Sequence, residues 1–442
     1  MKHVIFLGDG MADLPLEQLD HKTPLDVADK PHMDLIANFG KLCTVKNVPD
    51  GMNPGSDTAN MSAMGFDPRK LYSGRSPLEA VSLGIDMADD DVSFRVNLVT
   101  LSEEKNLADC TMVDYSSGEI TSSESALLIA DLAKELNTPE RELYAGKSYR
   151  HCLIWHGGPK HNDLTPPHDI SGKKIENYLP AGPGAEVMLD LIQRSREILR
   201  DHPVNLKRRD RGLNEAVCLW PWGEGTRPSL PNLFDVYGVK GAVISAVDLV
   251  QGLGICCGMD VINVPGATGT LATNFDGKAK AAIDALLNDV DYVYIHLEAP
   301  DECGHQGLLE EKIESISRID HQIIAPIWRA LEKYRQETGQ DYRFMVMPDH
   351  PTPISVRTHT ADPVPCGIYD SSASDQKTVE LIAKALENNG RLIDDQTNQP
   401  TKIIRPYSER AAVQEATRDE RYRDIPGHQL FARFIDQTSP II

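Results

Sequence analysis

The 442-residue chain has no run of about 18 apolar residues, so no membrane-spanning helix is expected. It also lacks an excess of positive charge. With 45 Lys and Arg against 66 Asp and Glu the formal net charge is −21, which argues against a nucleic-acid-binding face and serves solubility. Eight cysteines occur without a CxxC pair, as expected of reduced thiols; Cys303 is read as a small filler side chain. No Gly-x4-Gly-Lys-Ser/Thr phosphate loop, internal repeat or low-complexity segment is found. The first residues enter a strand directly, without the charged-then-apolar segment of a secretory signal. A cytoplasmic protein is expected.

What the chain does have is three apolar strand-like runs that each end in a metal-liganding residue. Val4-Ile5-Phe6-Leu7 runs into Gly8-Asp9-Gly10. Tyr292–Leu297 is followed at once by Asp301-x3-His305, and Tyr342–Met347 by Pro348-Asp349-His350, with His359 nine residues on. In open α/β sheets ligands bind outside the carboxyl ends of the strands, so carboxylates and imidazoles delivered there can share one site. Five or six such ligands exceed what one tetrahedral ion needs, and the count favours two metals. Ser56, between Pro54-Gly55 and Asp57-Thr58-Ala59, reads as a helix N-cap. The same position can cradle a phosphate and, beside a metal, supply a nucleophile.

Strand and helix signals alternate, which predicts an α/β fold with a largely parallel sheet. Asp9 and Ser56 precede a middle region whose character differs, whereas the other ligands follow it. Residues 94–211 are therefore expected to be an inserted α+β cap or substrate domain, with helices near Glu124–Leu136 and Ala185–Leu199. Residues 1–93 and 212–405 form the catalytic domain on this reading. Residues 406–442 are left as a polar, irregular C-terminal extension.

Several segments resemble one family: Gly8-Asp9-Gly10, Pro54–Ala59, Tyr72-Ser73-Gly74-Arg75, Phe94-Arg95-Val96-Asn97, Asp301-x3-His305, Asp349-His350-Pro351-Thr352-Pro353 and His359–Pro365. In this order they are similar to the archaeal-type cofactor-independent phosphoglycerate mutases of the alkaline phosphatase superfamily. The resemblance implies an alkaline-phosphatase-like three-layer domain with an inserted cap. It also implies two divalent ions (Mn²⁺ or Zn²⁺, possibly Mg²⁺) and no 2,3-bisphosphoglycerate. By that likeness Asp9, Ser56, Asp349 and His350 hold one ion, and Asp301, His305 and His359 the other. Ser56 accepts the phosphoryl group and returns it to the neighbouring hydroxyl of a small phosphorylated metabolite, under a cap that closes to exclude water.

The family's arginine-rich stretch early in the cap is replaced here by Asp114-Tyr115-Ser116-Ser117-Gly118-Glu119. A phosphate and a carboxylate are normally gripped by guanidinium forks. The candidates for substrate contact are then Arg75, Arg95, Arg150, Arg227 and the pair His168-Asp169, followed by Lys240 and Lys278. With Thr165-Pro166-Pro167-His168-Asp169-Ile170 and Pro348-Asp349-His350-Pro351-Thr352-Pro353, the arginine-poor stretch also resembles a bacterial branch proposed to act as homoserine kinases in threonine biosynthesis. Two readings of one metal centre therefore stand: phosphoglycerate mutase, and a kinase-like phosphotransferase.

Overall fold

The computed structural model describes residues 1–394, 396–401 and 403–436. Its strands are β1 (Lys2–Gly8), β2 (Lys41–Lys46), β3 (Val92–Leu101), β4 (Met112–Asp114), β5 (Arg141–Tyr144), β6 (Arg150–Trp155), β7 (Cys218–Thr226), β8 (Gly241–Ile244), β9 (Asp260–Val261), β10 (Tyr292–Leu297), β11 (Tyr342–Met347), β12 (Val364–Asp370) and β13 (Ile425–Pro426). The chain divides into two compact units, residues 1–72 with 230–442, and residues 73–229.

The first unit holds an eight-stranded sheet in the order β13-β2-β12-β11-β1-β10-β8-β9. β1 lies at its centre, parallel to both β10 and β11; β12 runs antiparallel to β11, and β2 antiparallel to β12. Every residue of β1, β10 and β11 is buried, which is why these three read as unbroken apolar runs rather than alternating ones. Helices Pro31–Phe39, Phe275–Asn288 and Ala325–Thr338 share a core with them, around Phe6, Phe344 and Trp328. Because β10, β1 and β11 are parallel neighbours, their carboxyl ends emerge side by side.

The second unit is an antiparallel sheet, β4-β3-β6-β5, with β7 added along β3. Helices Ser122–Leu136 and Ala185–Leu199 cover it, as the apolar spacing predicts. Its limits differ from the expected 94–211. Helix Ser76–Ser82 packs on the cores of β3, β6 and β7, and β7 pairs with β3 for most of its length, so both flanks join the sheet.

Between Arg405 and Asp436 the chain is not irregular, and residues 437–442 of the expected extension lie outside the described residues. Helices Glu409–Arg418 and Gly427–Ile435 form there, and Tyr407, Phe431 and Phe434 are buried in the first unit. Arg405 anchors the segment by donating to the carbonyls of Ala37, Asn38 and Gly40 at the end of helix Pro31–Phe39.

The other end of helix Pro31–Phe39 has no local cap; Asp320, on the π-helical turn Ile319–Ile324, serves instead. It accepts from the backbone N–H of His32 and Met33 and lies 2.7 Å from His32 Nδ1. With both oxygens taken up in this way, the buried His32–Asp320 pair is read as a cap rather than an ion site. Asp320→Ala strands these donors in the interior and is expected to destabilise the protein by about 3 kcal/mol. Asp320→Asn, which keeps one acceptor, should lose about half as much; urea unfolding of the two variants measures both.

Candidate active site

Asp9 sits one residue beyond β1, Asp301 in helix Ala299–Gln306 just after β10, and Asp349 and His350 directly after β11. Gly10 turns the chain away from β1 at φ +59°, and a Cβ there would come within 2.6 Å of Asp301 Oδ1 and Thr352 Oγ1. Only glycine allows the two loops to approach this closely. Asp13 and Lys312 tie them together from behind. This buried ion pair is 2.8 Å long, and the ammonium also donates to the carbonyls of Ala12 and Thr352.

Two groups of ligand atoms result, Asp9–Asp349–His350 and Asp301–His305–His359. His350 Nε2 lies 3.5 Å from Asp9 and 3.3 Å from Asp349. In the second group His305 and His359 Nε2 lie 3.2 and 3.4 Å from Asp301 and face each other at 2.9 Å. The residues that the resemblance assigns to each ion, Ser56 apart, lie together in these two groups.

Ser56 differs in detail. Gly55 is the cap and Ser56 the first helical residue, so its hydroxyl caps nothing. It lies 3.2 Å from His350 Nε2 instead. Asn60, one turn on, donates to Ser56 O and to Asp349 Oδ2, both at 2.8 Å. The helix is thereby fastened to the Asp349 carboxylate.

The electrostatics call for cations. Burial, then repulsion from Asp349, Asp301 and Glu298, pushes the Asp9 carboxyl well above its usual range. Burial also pushes Asp301 upward, but His305 and His359 outweigh it and hold that carboxyl well below the usual range. The bond to Asp301 raises His305 to about 9. Asp9 Oδ1 is buried with no hydrogen-bond partner. An orphaned carboxylate oxygen among crowded acids and imidazoles fits a divalent ion, and mixed oxygen and nitrogen donors suit Mn²⁺ or Zn²⁺.

Three residues of this site were not picked out from the sequence. His296, within β10, lies 2.9 Å from Asp9 Oδ2; burial, then Lys278, lowers it to about 3. Thr352 donates to Asp301 Oδ1 at 2.5 Å, and Asn60 holds Asp349. Of the three, His296 carried the available signal, because a histidine in an otherwise apolar strand needs a polar partner.

The second unit gathers Arg75, Arg95 and Glu79. The two Nε atoms meet the carboxylate at 3.0 and 2.9 Å. Glu79 is pushed up by burial, yet Arg95 and Arg75 hold it below its usual range. Arg95 lies over Trp222 at 4.2 Å, and burial lowers it to about 10. His168 meets Trp222 and Tyr115 edge-on, and Arg150 lies over Tyr149, which touches Tyr115. Burial, then Arg95 and Arg75 against the opposing pull of Asp169, leaves His168 lowered.

Other candidates go elsewhere. Arg227 donates to the Met87 carbonyl, Lys240 pairs with Asp260, and Lys278 is buried on the His296 carbonyl. Asp169 contacts His168 at 3.7 Å. The arginine-poor stretch is a turn held by Asp114, which accepts from the N–H of Ser116 and Gly118.

Chemistry at such a centre is that of a metal-dependent phosphotransferase. The donors suit divalent ions, and the Ser56 hydroxyl lies beside one group of them. The comparisons agree. Residues 37–205 match the family model for 2,3-bisphosphoglycerate-independent phosphoglycerate mutase. The chain is 48% identical over 371 residues to the protein of that name from Methanothrix thermoacetophila, covering 84% of this chain and 91% of the relative. It is 44% identical over 402 residues to the probable 2,3-bisphosphoglycerate-independent phosphoglycerate mutase of Geobacter sulfurreducens, covering 89% and 99%. The chain belongs to the 2,3-bisphosphoglycerate-independent phosphoglycerate mutase family. Among solved structures it resembles the PH0037 protein from Pyrococcus horikoshii (TM-score 0.75, 27% identity, covering 99% of this chain and 98% of that one). It shares its fold with the cofactor-independent phosphoglycerate mutase from Thermoplasma acidophilum (TM-score 0.54, 24% identity, covering 86% and 94%).

His305, raised to about 9, carries a proton at neutral pH that an ion must displace. Affinity at the Asp301 group should therefore rise about tenfold per pH unit from pH 6 to 8. Calorimetry in buffers of differing ionisation heat should show about one proton released per ion there at pH 7. Uptake without proton release would contradict this protonation state.

Proposed function

We propose that the chain interconverts 3-phosphoglycerate and 2-phosphoglycerate through a phosphoserine at Ser56, with two divalent ions and without 2,3-bisphosphoglycerate. The observation that carries this reading is the Ser56 hydroxyl, free of any capping role and 3.2 Å from His350 Nε2 in the Asp9–Asp349–His350 group. Asp9, Asp349, His350 and Ser56 would hold one ion, and Asp301, His305 and His359 the other. Such ions, when bound, supply Lewis acidity that lowers the serine pKa and offsets charge on the phosphoryl oxygens.

Ser56 Oγ attacks phosphorus as the bond to the glycerate oxygen breaks, and the serine proton ends on that oxygen. In the second half the neighbouring hydroxyl attacks the phosphoserine, gives up its proton, and Ser56 Oγ leaves and regains one. The positive N-terminal end of helix Ser56–Ala63 favours the phosphoserine dianion. Arg75, Arg95 and Arg150 grip the anionic groups of the substrate, in place of the arginines missing from 114–119. His168, lowered and so largely neutral at pH 7, can accept the hydroxyl proton.

The homoserine kinase reading requires a nucleotide site, which no sequence motif supplies, and the relatives' names favour the mutase. All eight cysteines are free thiols, which suits the cytoplasm, the location we assign. No helix among the described residues is long and apolar enough to cross a membrane.

Ser56→Ala should lower turnover at least a thousandfold while still taking up two ions, one of them on Asp9, Asp349 and His350 alone. Rapid quenching of the unmodified enzyme with 3-phosphoglycerate should yield phosphoserine at residue 56 by mass spectrometry. Ordinary turnover by the variant would overturn the nucleophile assignment. Arg95→Met should raise KM for phosphoglycerate at least tenfold with unchanged metal stoichiometry, as measured by steady-state kinetics.

A further inference from the structure

The two oxygens of Asp9 have different surroundings. Oδ2 lies 2.9 Å from His296 Nε2, whereas Oδ1 is buried, without a hydrogen-bond partner, on the side facing His350 Nε2 at 3.5 Å. On its other side His296 Nδ1 lies 3.2 Å from Ser245 Oγ, which accepts from the Val247 N–H at 3.0 Å. A ring proton on Nε2, aimed at Asp9, leaves Nδ1 able to accept from the Ser245 hydroxyl.

The ring itself has little freedom. His296 is fully buried, its backbone pairs with Leu7 next to the loop that carries Asp9, and its carbonyl accepts from buried Lys278 Nζ at 3.1 Å. Four connected groups, Val247, Ser245, His296 and Asp9, thus run from the end of β8 to the end of β1 with donors and acceptors matched at every step.

We propose that His296 is a positioning residue that selects which Asp9 oxygen is offered to an ion. By occupying Oδ2 as a neutral donor, it leaves Oδ1 as the free ligand atom of the Asp9–Asp349–His350 group. Ser245 keeps it in the donating tautomer. Among the described residues His296 has no hydrogen bond to the Asp301 group, whose carboxylate accepts from Thr352 Oγ1. The effect of His296 is therefore confined to one of two ions. This inference rests on the two-ion reading above.

Titrating the metal-free protein with Mn²⁺ or Zn²⁺ alone, by calorimetry, tests it. The unmodified protein should bind two ions. Removing a partner that orients a ligand costs about ten- to a hundredfold in affinity. His296→Leu should show that loss at one site, with the other unchanged. Glutamine places an amide nitrogen near the position of Nε2, so His296→Gln should stay within about threefold of the unmodified protein. Asparagine has the same chemistry but falls short of Asp9, and His296→Asn should behave like the leucine variant. The asparagine and glutamine pair decides the matter even if the leucine variant does not fold. Equal affinities in His296→Asn and the unmodified protein would overturn the positioning role, as would equal weakening at both sites. An unmodified protein that bound fewer than two ions would overturn the two-ion reading, and with it this inference.

Discussion

Three aspartates, Asp9, Asp301 and Asp349, are packed into the interior at the ends of neighbouring strands, where desolvation and mutual repulsion both oppose charge. Much of the first unit can be understood as the means of holding that arrangement. Parallel pairing of β10, β1 and β11 delivers the carboxylates together, and Gly10 lets two of the loops approach at backbone distance. Lys312 with Asp13, Asn60, Thr352 and His296 then fix the side chains and loops from outside the ligand set. A structure that crowds acids in this way stabilises whatever cations it binds, because the repulsion is already present before they arrive.

The second unit solves the opposite problem. Three guanidiniums are gathered near a single carboxylate, Glu79; Arg75 donates to it through Nε and Arg95 pairs with it at 2.9 Å. The Arg95 guanidinium is also stacked over Trp222 at 4.2 Å. Ring contacts through Trp222, His168, Tyr115 and Tyr149 give the cluster a rigid apolar frame, which keeps the arginines from solvating themselves separately.

Much of the metal centre was legible because its supports are simple. Three fully buried parallel strands must read as continuous apolar runs, and a polar residue at the end of each stands out against them. Supporting residues are harder to read. His296 and Asn60 lie inside regular elements, and only the tertiary structure shows that each faces a carboxylate. Ser56 was placed one position early because Gly55, with its extended backbone, takes the cap. The C-terminal helices were missed because their polar faces dominate; the buried Phe431 and Phe434, three apart, were the signal of a helix face. Residues 73–93 were assigned to the catalytic domain because an acidic loop at 86–91 looked like a boundary. It is instead a turn in which Asp91 accepts from the Ala88 N–H before β3 begins.

Phosphorus NMR of the metal-loaded protein given 3-phosphoglycerate, with no nucleotide and no 2,3-bisphosphoglycerate, tests the central claim most directly. The account predicts that the 3-phosphoglycerate resonance is replaced in part by that of 2-phosphoglycerate, with little inorganic phosphate. Unchanged 3-phosphoglycerate from protein shown to hold two ions, alongside phosphorylation of homoserine by ATP, would contradict it.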